Sequence, residues 1–422
     1  MSLNPIESRV LDQLDVSGML RFLSELVRIP SVGGSESPAQ IRVAGWLKEE
    51  GFEVDLWKLD LQELEKHPAY SAEVEREDGL GVVGRMGEDR GGRSLILNGH
   101  VDVVPAGDLS QWSFSPWEGR LEEGRILGRG SLDMKGGLVA GLFAAKAIAD
   151  SGVRLRAPLF LESVIGEEDG GVGTLGAIQR GYRAEGAVIM EPTGMAICPA
   201  QAGALNFRIT VRGRAAHGCV REAGVSALER FHTIHEELLA LEGRRNHYSI
   251  DALFRDYDLP FSLSVGKISG GDWPSSVPDW VRVEGRYGLP PGEDVKTAQE
   301  QFRDALGRAG ERDPWLKEHP PELEWWGGRF LPAQVPLMHP VVVELQQSIQ
   351  DLGLGEPMLK GVTFGSDMRL LVREANTPAV LFGPGDIRQA HGIDESVDVV
   401  EVKNAARTLA LFALRFCGYE DA

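Results

Sequence analysis

Five acids and two histidines stand where chemistry could use them. They are His100 and Asp102 in HVD, Asp133 in SLDMKGG, the pair Glu167-Glu168 in GEED, Glu191 in MEPT and His391 in AHGIDES. Imidazole nitrogen together with carboxylate oxygen is a donor set for zinc, cobalt or manganese. Each residue alone has a plainer reading. A single histidine is usually a satisfied surface or core residue, an acidic pair after a strand is usually a solvated loop, and a DxKGG turn can simply start a helix. Their joint placement argues otherwise. A charge at the end of an apolar strand must be paired, solvated or bound to metal, because burying it alone is strongly unfavourable.

The elements that would position these groups can be read from hydropathy. SLILNGHVDVVP is apolar on both faces and reads as a buried strand ending at His100. ILGRGSLDMKGGLVAGLFAAKAIAD reads as a Gly-rich loop opening a long apolar helix. APLFLESVIGEED and GAVIMEPT are further buried strands ending in acids. Continuous apolar strands alternating with helices predict a mostly parallel sheet covered on both faces. In such sheets the ligand site lies beyond the carboxyl ends of the strands, where His100, Glu167, Glu168 and Glu191 fall. Upstream, helices are expected over Val16–Arg28 and Pro38–Glu50 and a strand over Phe52–Leu59, followed by a charged surface stretch to Asp78.

After Ala200 the style changes. LNFRITVRG alternates with period two, Val225–Glu242 reads as a helix, and PFSLSVGKISGG and WVRVEGRYGLP read as strands. A helix over Glu293–Gly310 and the strand ELEWWG complete a β-α-β-β-α-β unit, the ferredoxin-like arrangement. After Pro332 the first style returns, with a helix at Pro340–Leu352, the strand TPAVLFGPG and a helix from Val400 to Phe416. The fold class expected is therefore α/β, a mostly parallel sheet sandwiched by helices, with an inserted ferredoxin-like α+β domain. The boundaries expected are 1–201 and 329–422 for the catalytic domain and 202–328 for the insert.

Composition bounds the function. At 422 residues the chain exceeds one ordinary core, since domains run roughly 100–200 residues. Lys and Arg number 44 against 63 Asp and Glu, a net charge of −19 that disfavours nucleic acid. Cys198, Cys219 and Cys417 are far apart and form no CxxC, so neither a disulfide framework nor a cysteine metal site is expected, and a reducing, cytoplasmic setting fits. The beginning of the chain has no secretory apolar region. The longest apolar run, Gly136–Ala149, is broken by Lys146 and is shorter than the roughly 20 residues a membrane span needs.

NGHVDVVP, GRGSLDMKGG, GEED, EPT and AHGIDESV together resemble the successive motifs of the co-catalytic zinc hydrolases that include acetylornithine deacetylase, succinyl-diaminopimelate desuccinylase, aminoacylase and glutamate carboxypeptidase. The resemblance runs from about Leu20 to the end of the chain. It implies a zinc-peptidase-like catalytic domain, an inserted lid and two divalent ions, zinc first, with cobalt or manganese as alternatives. His100 and Glu191 would each bind one ion, Glu168 and His391 the other, and Asp133 would bridge them. Asp102 would hydrogen-bond the imidazole of His100. Glu167 would be the general base, passing a proton from the attacking water to the leaving amine.

His217, in GRAAHG, reads from its pattern as a surface histidine. The resemblance implies that it reaches the partner subunit's site and stabilises the oxyanion, which requires a homodimer through the lid. Substrate carboxylate binding would fall to Arg286 and to Gly365 and Ser366 in TFGSD, with Asp367 orienting the turn. One position departs from the family. GGDWPSSVPD places Ser275 where an Asn is usual, a shorter and weaker donor that leaves open which end of the substrate is recognised. Trp273, Trp280 and Trp315 read as packing, and Trp112 and Trp117 as lining or packing on the cleft.

Glu rather than Asp at position 191 points, by the same resemblance, to a deacylase or carboxypeptidase rather than an aminopeptidase. The activity expected is removal of the acyl group from an N-acyl amino acid, acetylornithine or succinyl-diaminopimelate being the leading types. A carboxypeptidase or dipeptidase acting on a short peptide is the alternative, and a metal-free binding protein on the same fold is the remoter one.

Overall fold

The computed structural model describes residues 3–248 and 251–421. The chain divides into two compact units, one of Met1–Pro199, Val335–Lys360 and Ser366–Ala422, the other of Ala200–Gln334 and Gly361–Gly365.

The larger unit is built on a central sheet. Six of its strands lie in the order Glu53–Lys58, Leu80–Met86, Leu159–Val164, Leu95–His100, Gly186–Ile189 and Ala379–Leu381. The last four run parallel, and the first two are antiparallel to their neighbours. Every residue of Leu95–His100 is buried, as a strand covered on both faces requires. Its register sets Asn98 beside Glu162 and His100 beside Val164, so both chains leave the sheet at one level and continue into the loops that hold the polar residues.

The helices Gly136–Asp150 and Val399–Cys417 pack against each other over this sheet. The glycines of DMKGGLVAG permit a close approach. A Cβ on Gly137 would lie 1.9 Å from the Met190 carbonyl oxygen, and one on Gly141 would lie 2.2 Å from Met190 Sδ. The start of that helix thus sits hard against the strand end that carries Glu191. Expected helices are found at Val16–Val27, Ser37–Glu49 and Pro340–Asp351. The helix Pro5–Asp12, capped by a reciprocal Asn4–Glu7 box, carries no apolar stripe long enough to announce it.

The charged stretch before Asp78 is not all surface. Arg76 is buried, its side chain 2% exposed, between Glu36 and Asp169. An isolated Arg in a polar run looks solvated, and only tertiary pairing reveals otherwise.

The smaller unit is a four-stranded antiparallel sheet in the order Leu263–Gly270, Trp280–Leu289, Gly203–Arg212 and Glu322–Phe330, with the helices Ala227–Tyr248 and Val295–Arg312. Phe207, Tyr287 and Phe302 are fully buried at its centre. Residues 361–365, which carry no periodic pattern, belong to this unit. Tyr257 donates through its hydroxyl to the Gly361 carbonyl at 3.1 Å, and Arg286 donates to that of Thr363 at 2.6 Å. Trp280 and Trp315 hydrogen-bond Asp272 and the Arg212 carbonyl, but Trp273 is 71% exposed, against the expectation of packing. No helix of the described residues is long and apolar enough to cross a membrane.

Candidate metal centre

The polar cluster is assembled at the carboxyl ends of the parallel strands. His100 closes its strand and is buried. Its Nδ1 lies 2.9 Å from the main-chain carbonyl of Asp102. A proton on Nδ1 donated there leaves Nε2 as the outward nitrogen. That Nε2 is 3.3 Å from Asp133 Oδ1 and 4.0 Å from both Glu167 Oε2 and Glu191 Oε1.

Asp133 sits in a turn with extended torsions (φ −117°, ψ 98°) just ahead of the apolar helix, and a cis peptide bond joins it to Met134. Its second oxygen faces His391 Nε2 at 3.5 Å. His391 adopts a positive φ of 61° and brings Nε2 within 3.0 Å of Glu168 Oε2. The loop after the Leu159–Val164 strand turns at Gly166 (φ 66°) and presents Glu167 and Glu168. Glu168 N–H donates to Asp102 Oδ2 at 3.1 Å. The Asp102 carboxylate therefore holds this loop while its carbonyl holds the imidazole. Its Oδ1 also lies 3.5 Å from His100 Nδ1.

All seven residues of the opening set meet in the larger unit. Two donor groups, His100–Asp133–Glu168 and His100–Glu167–Glu191, each have their ligand atoms within 4.8 Å of one another. Glu167 and Glu191 stand equally far from His100, so distance alone does not separate base from ligand.

The electrostatics fit cations. Burial, the neighbouring charge of Glu191 and other acids push the Glu167 carboxyl well above the ordinary range. Burial and the charge of Asp133 do the same to Glu191. Glu168 is pushed up to about 7 by burial and by Asp133, against its hydrogen bond with His391. His391 is raised to about 10 by Asp133 and Glu168. Burial opposes ionisation of Asp133, but the two imidazoles beside it overcome this and hold it below the usual range. The cluster has more carboxylates than imidazoles can neutralise. Among the described residues, His100 Nε2, Glu167 Oε1 and Asp102 Oδ1 are buried without a hydrogen-bond partner. Divalent cations among these atoms would satisfy both deficits.

The remaining expected residues lie as follows. His217 is exposed on the smaller unit and pairs as an isolated bridge with Ser276. Gly218 N–H donates to the Ser275 carbonyl at 2.7 Å, so Ser275 is adjacent to His217. Arg286 also donates to Ser262 Oγ at 3.1 Å. Gly365 belongs to the smaller unit and packs on Phe330. Ser366 belongs to the larger; it is fully buried, and its hydroxyl accepts from Met368 N–H. Trp112 is buried under the Arg129 guanidinium.

Sequence reasoning missed the supports of the Glu167–Glu168 loop. Arg76 clamps Asp169 with two contacts at 2.7 and 2.8 Å. Arg369 donates to the Gly170 carbonyl at 2.7 Å. Beyond the loop, Thr174 in the helix Val172–Arg180 donates to Asp367, already singled out in the sequence, at 2.6 Å. It also missed Lys135, which is fully buried and donates to the carbonyls of Leu26 and Ile29. Burial pulls its ammonium down to about 7. A lysine inside a Gly-rich apolar segment was the available signal.

Residues 96–415 match Peptidase family M20/M25/M40. The chain is 30% identical over 399 residues to an N-formyl-4-amino-5-aminomethyl-2-methylpyrimidine deformylase of Bacillus subtilis (strain 168), covering 89% of this chain and 88% of the relative. It is 25% identical over 421 residues to an acetylornithine deacetylase of Proteus mirabilis (strain HI4320), covering 96% and 98%. Among solved structures, a dinuclear metal binding peptidase of the M20 family from Bacillus subtilis superposes with a TM-score of 0.66 at 15% identity, covering 95% of this chain and 98% of that one.

Proposed function

Because the chain belongs to Peptidase family M20/M25/M40, metal-dependent hydrolases of amide bonds, we propose that it removes a small acyl group from an N-acylated amine or amino acid. The observation that carries this reading is the convergence of His100, Asp133, Glu167, Glu168, Glu191 and His391. Similarity to proteins named as a deformylase and a deacetylase supports short acyl groups, formyl and acetyl first.

In this reading His100, Glu191, Asp133, Glu168 and His391 hold two ions, proposed as zinc, with cobalt or manganese as substitutes. Such a pair acidifies a water and polarises the substrate carbonyl. Glu167 takes the proton of the attacking water at its carboxylate and returns it to the departing amine nitrogen. The Asp102 carbonyl fixes the tautomer of His100, and its carboxylate fixes Glu168.

The smaller unit is proposed as a lid and dimerisation domain. His217 would donate to the oxyanion in the partner subunit's site. Arg286, with the Gly365 backbone, would take a substrate carboxylate or carbonyl. Ser275 offers a shorter hydroxyl donor in place of the family's amide.

The test is a panel of N-formyl, N-acetyl and N-succinyl amines and amino acids beside C-terminal dipeptides, run with added zinc or cobalt. Turnover of acyl substrates that is abolished by chelation and restored by metal is expected. Turnover of dipeptides alone would replace the deacylase with a dipeptidase. No turnover and no bound metal would leave a binding protein.

A further inference from the structure

Glu395 stands four residues beyond His391, in the same motif, and has been given no part in the site. It is 1% exposed. Its Oε1 accepts main-chain N–H groups from Gly130, Leu132 and Asp133, at 2.9, 3.1 and 3.2 Å. Its Oε2 accepts from Arg129 Nη1 at 2.5 Å. Its main-chain carbonyl accepts from Gly128 N–H at 2.9 Å. The turn from Gly128 to Asp133 is therefore wrapped around a single carboxylate, its amides converging as in an anion-binding nest.

The same contacts reach His391. Arg129 also donates from Nη2 to the His391 carbonyl at 3.3 Å. The pairing of Ser396–Asp398 with Arg125–Leu127 delivers Glu395 to this turn. One carboxylate thus ties together the turn that aims Asp133 and the loop that aims His391. Asp133 faces His100 with one oxygen and His391 with the other, so a small rotation of its turn would misplace both contacts at once.

We infer that Glu395 is a positioning residue for the paired metal ions, holding Asp133 and His391 in register without touching an ion itself. This rests on the dinuclear reading proposed above. A glutamine cannot replace it. If the amide oxygen faces the three N–H groups, the NH2 faces Arg129, and the reverse placement sets NH2 against the N–H groups. An aspartate keeps both oxygens and the charge, but it is one carbon too short to span the turn and the guanidinium.

The experiment titrates metal-free wild type, Glu395→Gln and Glu395→Asp with zinc by calorimetry. It records the visible spectrum of each after cobalt loading and the melting temperature of each without metal. Both variants are expected to fold but to melt below wild type, because Arg129 is left buried with an imperfect partner. They should bind metal at least about tenfold more weakly, the effect typical of partners that orient ligands, and show an altered cobalt spectrum. Wild-type affinity and spectrum in both variants would overturn the inference, as would failure of both to fold, since Glu395 would then be only a structural anchor. A wild-type protein that binds no pair of ions would sink the dinuclear reading instead, before the variants are compared.

Discussion

Asp133 presents Oδ2 to His391 Nε2 at 3.5 Å while its Oδ1 faces His100 at 3.3 Å, so one carboxylate lies between imidazoles from distant stretches of the larger unit's chain. Such a group can serve two cations only if both oxygens carry negative charge. Asp133→Asn should leave one ion or none per chain by elemental analysis, where wild type is expected to hold two. Hydrolysis should fall by at least about 100-fold, the lower end of what a lost catalytic group removes. Two tightly held ions in the variant would remove Asp133 from the bridging position.

Glu167 and Glu191 are equidistant from His100 Nε2, at 4.0 Å, yet they are assigned different tasks. Glu167→Gln separates them. As a proton carrier, Glu167 should be dispensable for metal content while kcat drops roughly 10²–10⁴-fold. Glu191→Gln should instead deplete metal. If the two variants exchange these phenotypes, base and ligand have been interchanged.

Much of this centre was legible because its ligands terminate runs that only a buried strand explains. LILNGH, LFLESV and GAVI are apolar on both faces, so the polar residues after them had to converge at one edge of the sheet. The ferredoxin-like unit was legible from alternation in LNFRITVRG and from two helical segments. What stayed hidden depends on contacts between distant stretches. Nothing local distinguishes Arg76, buried in an ion cluster, from its exposed neighbours Glu75 and Glu77. Nothing in HVD says that the carbonyl of Asp102, rather than its carboxylate, receives the imidazole. The short helix Met368–Arg373 has too few turns to show a period.

Glu162 provides a pH-dependent test of the core beneath the site. It is fully buried, accepts from Asn98 at 3.0 Å and has its carboxyl pushed up to about 7 by burial, with Asp367 adding to the effect. Its unfolded value is about 4.3. The folded protein therefore binds the extra proton, and stability from this residue is present below about pH 4.3 and is lost as pH rises toward 7. The loss amounts to roughly 4 kcal/mol at most, for a shift of this size. Melting curves of metal-free wild type and Glu162→Gln between pH 4.5 and 8 should show wild type losing ground to the variant until about pH 7, then a constant difference. A difference that ignores pH across that window would mean Glu162 does not hold its proton.

Arg76 should be the most sensitive support of the acidic loop. Its guanidinium grips Asp169 through both terminal nitrogens and Glu36 through Nη2 at 2.7 Å, with side-chain exposures of 2% for Arg76 and Glu36 and 10% for Asp169. Removing the cation leaves two buried carboxylates facing each other with only main-chain N–H donors to offset their charge, Val74 N–H to Asp169 at 2.8 Å among them. Arg76→Met keeps much of the volume and should still destabilise the protein by about 3–5 kcal/mol, as broken buried pairs do. The effect should extend to the metal centre, because Asp169 directly follows Glu168 and its main-chain carbonyl accepts from Glu73 N–H at 3.0 Å, anchoring the loop from outside. Metal affinity should fall roughly 10–100-fold, as when a ligand loses its outer partner. Restoring charge alone with Arg76→Lys should recover part of the stability but less of the affinity, because one ammonium cannot grip both oxygens of Asp169 and Glu36 together. Equal recovery of both quantities would show that the loop needs only a positive charge at this place, and not the planar fork.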